Sequence, residues 1–350
     1  MQIENYMKYI GHEKNNSWLL SSEKSIVIEC LGESYALEHL KSIKEGLNGK
    51  ELDYILLNHT SPENTGSLKT ILNEYPNVKV IASAAGIKNL TGLLNTEFGY
   101  EIAKDEKVLD LGDISLKFLI LPNLPWTDSM ATYCESKKAL FCGSIFSDRE
   151  NYFNEVIRPY RAYAKTAVER LKALDIKKLL PISGDEILNI DACFDEYSAK
   201  EAEDKKPVIF YSSHYGYTAQ MAHIIAEEFE DCLCFDADTS NPDEIEEAIN
   251  NCSCFMVGTN TINRNCAKAV WNLITNMDMV NKKYTPCFVF GSCGWSGEGV
   301  YLVERFLKLI RMNVFEKPYL INFKPSDDEI EKLREFTRRF KKFAEENKGE

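Results

Sequence analysis

Residues 58–68 of the chain read NHTSPENTGSL, a segment with the spacing of a metal-binding loop. Histidines and carboxylates placed within a few residues of one loop can hold iron or zinc through nitrogen and oxygen atoms. Here only His59 and Glu63 have side chains of that kind, because Ser61 and Asn64 stand at the other expected positions. The segment therefore predicts the frame of a metal site that has lost most of its ligands.

Length and charge exclude several classes of protein. The 350 residues are enough for two domains, since one core rarely grows past about 250 to 300 residues. A formal charge of −13 would repel nucleic-acid phosphates and an anionic membrane face, so neither partner is expected. The first residues lack the pattern of a signal peptide, and no apolar stretch is long enough to span a membrane. We expect a cytoplasmic protein.

The eleven cysteines are an odd number in a large chain, which favours reduced thiols over a disulfide framework. Two C-x-C pairs, Cys232/Cys234 and Cys252/Cys254, could suggest a metal site. Each pair lies in an apolar, strand-like run. Half-buried cysteines on strands are therefore the expectation.

A polar segment at 197–207, YSAKEAEDKKP, separates two patterns and places the domain boundary between residues 203 and 204. In domain 1–203, short apolar runs alternate with helical stretches, which indicates a layered α/β domain. In domain 204–350 the alternation is regular. Five strands are interleaved with helices at 218–229, after the cap 241–243, at 265–277, at 299–310 and from 326. This pattern predicts a doubly wound parallel sheet, which binds ligands at the carboxyl ends of its strands.

Three loops fall at those predicted carboxyl ends. Residues 212–218, SSHYGYT, offer hydroxyls and backbone N–H groups that can enclose a phosphate without lysine. Residues 258–264, GTNTINR, follow the third strand, and residues 291–299, GSCGWSGEG, follow the fourth. The glycines of the last loop allow close approach to a flat ring, on which Trp295 can stack. A planar cofactor bearing a monophosphate is predicted.

On these motifs the second half resembles the flavodoxin-like domain of the flavodiiron proteins. The resemblance implies that the first loop binds the phosphate of FMN and that the other two flank its isoalloxazine ring. Departures from the family at His214, Tyr217 and Asn260 are expected to alter phosphate affinity or redox potential. The cofactor-binding residues implied are Ser213, His214, Tyr215, Gly216, Tyr217, Thr218, Thr259, Asn260, Thr261, Ile262, Asn263, Ser292, Cys293, Gly294, Trp295, Ser296 and Gly297.

The resemblance extends through the first half, whose NHTSPENTGSL segment is similar to the family's N-H-x-E-x-D-H-S-G. The segment PWTDSM at 125–130 is similar to H-W-P-D-S-M, and residues 140–146 and 181–184 resemble two further ligand segments. The fold implied is a metallo-β-lactamase-like αββα sandwich. The six diiron-ligand positions then fall on His59, Ser61, Glu63, Pro125, Ser144 and Ser183.

Only two of those six side chains ligate metals readily, and no histidine follows His59 in this half. Iron or zinc normally needs three or four such ligands. The diiron centre is therefore predicted to be absent, and with it the family's reduction of oxygen or nitric oxide. His59 and Glu63 are interpreted as remnants. A weak His/Glu site, helped by Asp148 or Glu150, is the alternative.

The resemblance also implies a head-to-tail homodimer, in which Trp126 approaches the flavin of the other subunit. Met130, from the same motif, is expected in the core. The leading hypothesis is an FMN-binding electron-transfer protein or oxidoreductase that receives electrons from rubredoxin or a reduced nicotinamide. A non-catalytic scaffold or partner subunit is the alternative. A hydrolase is the weakest possibility, because metallo-β-lactamase-type hydrolysis needs a metal-activated water.

Overall fold

The structure is a computed structural model that describes residues 7–199 and 205–347. The chain divides into two compact units, Met1–Ala199 and Lys200–Glu350. The boundary predicted between residues 203 and 204 lies outside the described residues and stays a prediction. Within the described ranges, no helix has the length and apolar character needed to cross a bilayer.

The N-terminal unit contains a six-stranded sheet in the order β1 to β6. Its first three strands pair antiparallel, and the later neighbours pair parallel. The strands are β1 (Met7–Tyr9), β2 (Trp18–Ser21), β3 (Ser25–Ile28), β4 (Tyr54–Leu56), β5 (Lys79–Ala82) and β6 (Tyr100–Ile102). The ligand-like segment 58–68 follows β4, at a carboxyl end of this sheet.

A second sheet of five strands has the order β11-β10-β9-β8-β7. Only β10 and β11 pair parallel in it. The strands are β7 (Val108–Asp110), β8 (Ser115–Ile120), β9 (Met130–Cys134), β10 (Ala139–Gly143) and β11 (Lys178–Pro181).

Successive side chains of a strand point to opposite faces of its sheet, so the two sheets form three hydrophobic cores, one between them and one on each outer face. Trp18, Ile28, Phe118, Met130 and Phe141 belong to one buried cluster that joins the facing sides of both sheets. The outer faces of the first and second sheets pack against helices. These helices are α1 (Ala36–Leu47), α2 (Leu68–Glu74) and α3 (Ala84–Leu94) on the first sheet, and α4 (Arg161–Leu171) and α5 (Ile190–Ser198) on the second. The αββα sandwich is confirmed, and Met130 is a core residue.

The C-terminal unit is a parallel sheet in the order β13-β12-β14-β17, with β18 and β19 both pairing with β17. The doubly wound fold is confirmed. Its strands are β12 (Val208–Tyr211), β13 (Leu233–Asp236), β14 (Phe255–Gly258), β17 (Pro286–Cys293), β18 (Asn313–Val314) and β19 (Tyr319–Asn322). Its helices are α6 (Tyr217–Ala226), α7 (Pro242–Asn250), α8 (Lys268–Asn276), α9 (Glu298–Leu309) and α10 (Asp327–Glu346).

Two elements of this unit differ from the sequence prediction. The helix expected from residue 265 begins at Lys268, because β15 (Thr261–Ile262) and β16 (Asn265–Cys266) form a hairpin first. The fifth strand is split, so that β18 pairs with the start of β17 and β19 pairs with its end. The hairpin and β19 lie at the carboxyl ends of the strands, where the predicted ligand loops lie, whereas β18 lies at the opposite end.

The cysteine prediction is partly wrong. Cys234 lies half-buried in β13, as expected, and Cys232 precedes that strand. Cys252 and Cys254 are fully buried and lie before β14, so they pack in the core instead of lining a half-exposed strand. None of the four is part of the pocket described below.

A buried histidine lies under the ligand-like segment. His39 of α1 has Nε2 3.0 Å from Ser17 Oγ and Nδ1 2.9 Å from Ser67 Oγ. Ser17 donates its own hydrogen to the carbonyl of Glu29 (2.7 Å), and Ser67 Oγ accepts from the N–H of Leu31 (3.1 Å). Neutral imidazole with hydrogen on Nε2 satisfies every partner. Burial lowers the pKa of His39 to about 4.

This histidine should make stability depend on acidity. The unfolded chain binds a proton near pH 6.5 and the folded chain near pH 4, so the free energy of unfolding falls as pH falls between these values. Between pH 7 and pH 5 the contribution of His39 amounts to about 2 kcal/mol. Urea denaturation of the full chain at both pH values should show that loss reduced in His39→Gln. Equal pH dependence in both proteins would contradict the assignment.

Candidate functional site

The C-terminal unit has a pocket of about 720 Å³ at the carboxyl ends of β12, β14 and β17. The three predicted loops and Phe323, which follows β19, form its walls. The lining residues are Ser213, His214, Tyr215, Tyr217, Thr218, Asn260, Thr261, Ile262, Asn263, Arg264, Ser292, Cys293, Gly294, Trp295, Ser296, Gly297, Glu298 and Phe323. The structure thus brings together most of the residues that the sequence singled out in this half.

Two predicted residues lie outside the lining. Gly216 has φ 84° and directly precedes α6, a left-handed conformation that glycine adopts without steric cost. Thr259 is buried behind the second loop, where its hydroxyl donates to the carbonyl of Asn260 (3.0 Å) and accepts from the N–H of Ala267 (3.0 Å). Gly216, which is exposed, lets the first loop turn into α6, and Thr259 supports the second loop from behind the lining.

Sequence reasoning missed three lining residues. Arg264 and Glu298 belong to the second and third loops, so their place in those segments was the available signal. Phe323 comes from a different part of the chain. Its ring packs so tightly on Gly294 that a Cβ there would lie 2.5 Å from Phe323 Cζ. Only the parallel pairing of β19 with β17 reveals this contact.

The first loop ends at the N-terminus of α6, a helix of ten residues with no side-chain cap at its N-cap position. Ser213 Oγ accepts from the N–H of Ala219 (3.1 Å), which fixes the loop over the first turn. The segment 212–218 contains neither lysine nor arginine. The other backbone N–H groups of the first turn and the positive end of the helix dipole can bind an anion here.

The second and third loops meet at the other end of the pocket, where Thr261 Oγ1 accepts from the N–H of Gly299 (3.1 Å). The Oδ1 atom of Asn260 is buried and has no hydrogen-bond partner, so a ligand that donates a hydrogen bond would satisfy it. Trp295 is 96% exposed, and Tyr215 is also largely exposed. Large aromatic faces left bare beside an anion site fit a flat, phosphorylated cofactor such as FMN.

In the N-terminal unit, the ligand-like segment is anchored through Asn58. Its backbone N–H and Nδ2 donate to Glu29 Oε1 at 3.3 and 2.7 Å, and Thr132 Oγ1 donates to Asn58 Oδ1 at 2.8 Å. Glu29 is fully buried, and this burial raises its pKa to about 8. The anchoring network was not predicted, because a Glu that ends a strand carries no distinctive sequence signal.

His59, the first of the six ligand-equivalent positions, is buried, and Asn64 Nδ2 donates to its Nε2 at 3.1 Å. The proton of the neutral ring therefore lies on Nδ1, which has no partner. Burial lowers the pKa of His59 to about 4, although Asp128 opposes the shift. Asn64 also donates to Ser61 Oγ at 2.8 Å, so its amide links the His59 ring to the Ser61 hydroxyl.

The side chains at the other ligand-equivalent positions do not form a set of metal ligands around His59. Glu63 and Ser183 are exposed, Pro125 has no donor atom to offer, and the buried Ser144 hydroxyl has no partner. The described residues contain no group of three or more His, Cys, Asp and Glu side chains arranged to hold a metal. This donor set does not fit a diiron centre.

Three further side chains of this unit were singled out in the sequence. Asp148, considered as a substitute ligand, is exposed and lies against Gly184, where an added Cβ would come 1.8 Å from its Oδ1. Glu150 is exposed as well. Trp126 is 41% exposed, and its ring centroid lies 6.1 Å from that of His59. The Trp126 backbone is fixed because its N–H donates to Ser129 Oγ at 3.2 Å.

Two known protein families match separate parts of the chain. The family model described as flavodoxin matches residues 209–336, and the model described as ODP family beta lactamase matches residues 13–174. Among solved structures, rubredoxin oxygen:oxidoreductase from Desulfovibrio gigas superposes with a TM-score of 0.71 at 20% identity, covering 99% of both chains. The flavodiiron protein from Giardia intestinalis gives a TM-score of 0.66 at 20% identity, covering 100% of this chain and 98% of the other. These likenesses show the fold.

Sequence relatives span nearly the whole chain. Type A flavoprotein of Rhodobacter capsulatus is 28% identical over 91% of this chain and 81% of its own length. Flavo-diiron protein FprA2 of Clostridium acetobutylicum is 31% identical over 93% of this chain and 91% of its own length. With the αββα sandwich followed by the flavodoxin-like sheet, this similarity shows that the chain belongs to the flavodiiron protein family.

Proposed function

We propose that the chain is an FMN-binding electron-transfer protein or oxidoreductase on the flavodiiron scaffold, whose flavodoxin-like domain carries the redox chemistry. The observation that carries this proposal is the pocket in which the N-terminus of α6, whose N-cap residue Gly216 provides no side-chain cap, lies together with exposed aromatic rings. Bound FMN would supply one- or two-electron transfer.

Each wall of the pocket has a separate task. The first turn of α6 and the hydroxyls of Ser213 and Thr218 hold the phosphate. Trp295 and Tyr215 cover the apolar ring and exclude water from it, and the partnerless Oδ1 of Asn260 accepts a hydrogen bond from the cofactor. The sequence-derived set from Ser213 to Gly297 is proposed as the binding site, with Thr259 acting from behind the lining and Gly216 providing the turn into α6.

We propose further that the N-terminal domain holds no diiron centre and does not reduce oxygen or nitric oxide. Support comes from the donor chemistry, since Ser61, Pro125, Ser144 and Ser183 replace four of six ligands. His59, whose Nε2 accepts from Asn64, supports the interpretation of a remnant held by hydrogen bonds. Domain limits of 1–203 and 204–350 remain part of this proposal.

The proposed assembly is a head-to-tail homodimer in which Trp126 covers the flavin of the second copy, with rubredoxin or a reduced nicotinamide as electron donor. Trp126→Ala should then weaken FMN binding by about two- to tenfold, the range expected for one aromatic contact. It should also weaken dimerisation. FMN titration and analytical ultracentrifugation measure the two effects. Unchanged dimerisation together with unchanged FMN affinity would contradict this role.

A second candidate is a non-catalytic partner subunit. It is favoured by the intact packing of the αββα sandwich around a segment whose ligands are replaced. Turnover separates the two candidates. FMN-loaded protein that no donor reduces and no acceptor reoxidises, yet that associates with an active flavodiiron protein, would support the partner subunit.

The direct test of the flavin proposal is titration of the full chain with FMN. We expect saturation at about one FMN per chain and a yellow protein that releases FMN on denaturation. A colourless protein that takes up no FMN would refute the proposal.

A further inference from the structure

Arg264 and Glu298 bring formal charge to the lining of the flavin pocket, whose other described residues include no lysine, arginine or carboxylate. Arg264 Nε lies 3.6 Å from Glu298 Oε1. The Arg264 side chain is 87% exposed and that of Glu298 is 37% exposed. The pair therefore links the second and third loops at the pocket wall while its charges remain in contact with solvent.

Turn geometry does not explain the arginine. Asn263 and Arg264 have φ values of 48° and 65° and join β15 to β16, which is the pattern of a two-residue type I′ turn. Such turns favour Asn-Gly, and a side chain in the left-handed region costs roughly 1 to 2 kcal/mol. An arginine at this position therefore destabilises the turn, and its side chain lines the pocket.

Glu298 is positioned independently of its partner. It is the first residue of α9, where a carboxylate meets the positive end of the helix dipole. The Ser296 hydroxyl, with the backbone N–H of Glu298, lowers the pKa of this carboxyl, and Arg264 adds to the shift. Removal of Arg264 would therefore leave a negative charge on the third loop.

We propose that Arg264 and Glu298 set the preference of the pocket for reduced over oxidised FMN, with Arg264 favouring the reduced form and Glu298 opposing it. This inference rests on the proposed function. Reduction adds electrons to the ring, and negative charge on the reduced flavin is stabilised by a nearby cation. The chain as a whole carries a formal charge of −13, so its mean field disfavours that added charge.

The experiment measures the dissociation constants of oxidised FMN and of dithionite-reduced FMN under anaerobic conditions, using the full chain. The ratio of the two constants reports the preference. Arg264→Gln should lower the preference for reduced FMN about two- to fivefold, and Glu298→Gln should raise it by a similar factor. Arg264→Lys should keep it near the native value. Higher salt should shrink each change.

Two variants make the test specific. Arg264→Gly removes the same charge but favours the type I′ turn, so its effect cannot arise from a broken hairpin. Arg305→Gln removes an equal charge from the exposed side of α9, away from the lining, and should leave the ratio unchanged.

A native ratio in both Arg264→Gln and Arg264→Gly would overturn the inference while leaving FMN binding intact. An equal shift in Arg305→Gln would overturn it as well, because net charge alone would then be responsible. Failure of the native chain to bind FMN in either redox state would refute the proposed function together with the inference.

Discussion

Replacing Gly66 by Ala is expected to destabilise the N-terminal unit by about 3 kcal/mol, the upper part of the range for overpacking. A Cβ at this position would lie 2.1 Å from the backbone nitrogen of Glu33 and 2.8 Å from the carbonyl carbon of Gly32. These are backbone atoms, which cannot rotate away as a side chain can. The N–H of Ser67 also donates to the carbonyl of Leu31 at 2.8 Å, so the two segments cannot separate without breaking this contact.

Urea denaturation of the full chain measures this loss. Glu63→Gln changes an exposed residue in the same segment and should shift the free energy of unfolding by less than about 0.5 kcal/mol. Gly92→Ala lies in α3 with no atom within 4 Å of the added Cβ and should stabilise by about 0.5 to 1 kcal/mol. If Gly66→Ala were as harmless as Glu63→Gln, the segment would not be a structural frame.

Gly299→Ala should weaken FMN binding by about tenfold or more. An added Cβ would lie 2.6 Å from the carbonyl oxygen of Asn265 and 2.9 Å from that of Asn260. The second and third loops would then be pushed apart at the point where Thr261 Oγ1 now accepts from the N–H of Gly299. Displacement of this size at a site that positions a ligand costs roughly 1 to 3 kcal/mol, which corresponds to that loss of affinity.

Fluorescence titration with FMN measures the affinity, because the free cofactor is fluorescent. Arg305→Ala, on the exposed side of the same helix, should bind FMN as the native chain does. Thermal unfolding of both variants separates loss of the pocket from loss of the fold. Native FMN affinity in Gly299→Ala would contradict the close approach of the two loops.

Much of the architecture could be predicted from sequence, since strands and helices alternate with clear apolar periods and the loops carry recognisable motifs. The hairpin at Asn263 and Arg264 was missed because its turn lacks the glycine that marks such turns. The split fifth strand was missed because β18 has only two residues, too few to show a period. Phe323 lies in the pocket because β19 pairs with β17, and no local sequence pattern indicates that pairing.

The N-terminal site shows a similar limit. The expectation that most diiron ligands are missing rests on the resemblance to the family, which places ligand positions on Ser61, Pro125, Ser144 and Ser183. The contact of the Glu29 carboxyl with Asn58 depends on how β3 and β4 lie beside each other, and the contact of Asn64 with His59 depends on the turn at Pro62–Asn64, so both required the structure. The structure adds the hydrogen bonds that the Asn64 and Glu29 side chains make.

Parallel measurement of FMN and of iron and zinc in one purified sample tests whether the flavin alone carries the redox chemistry. We predict about one FMN per chain and less than about 0.1 equivalent of iron and zinc together, both before and after incubation with ferrous iron and removal of the excess. About two equivalents of iron retained per chain, with or without FMN, would contradict the assignment of redox chemistry to the flavin alone.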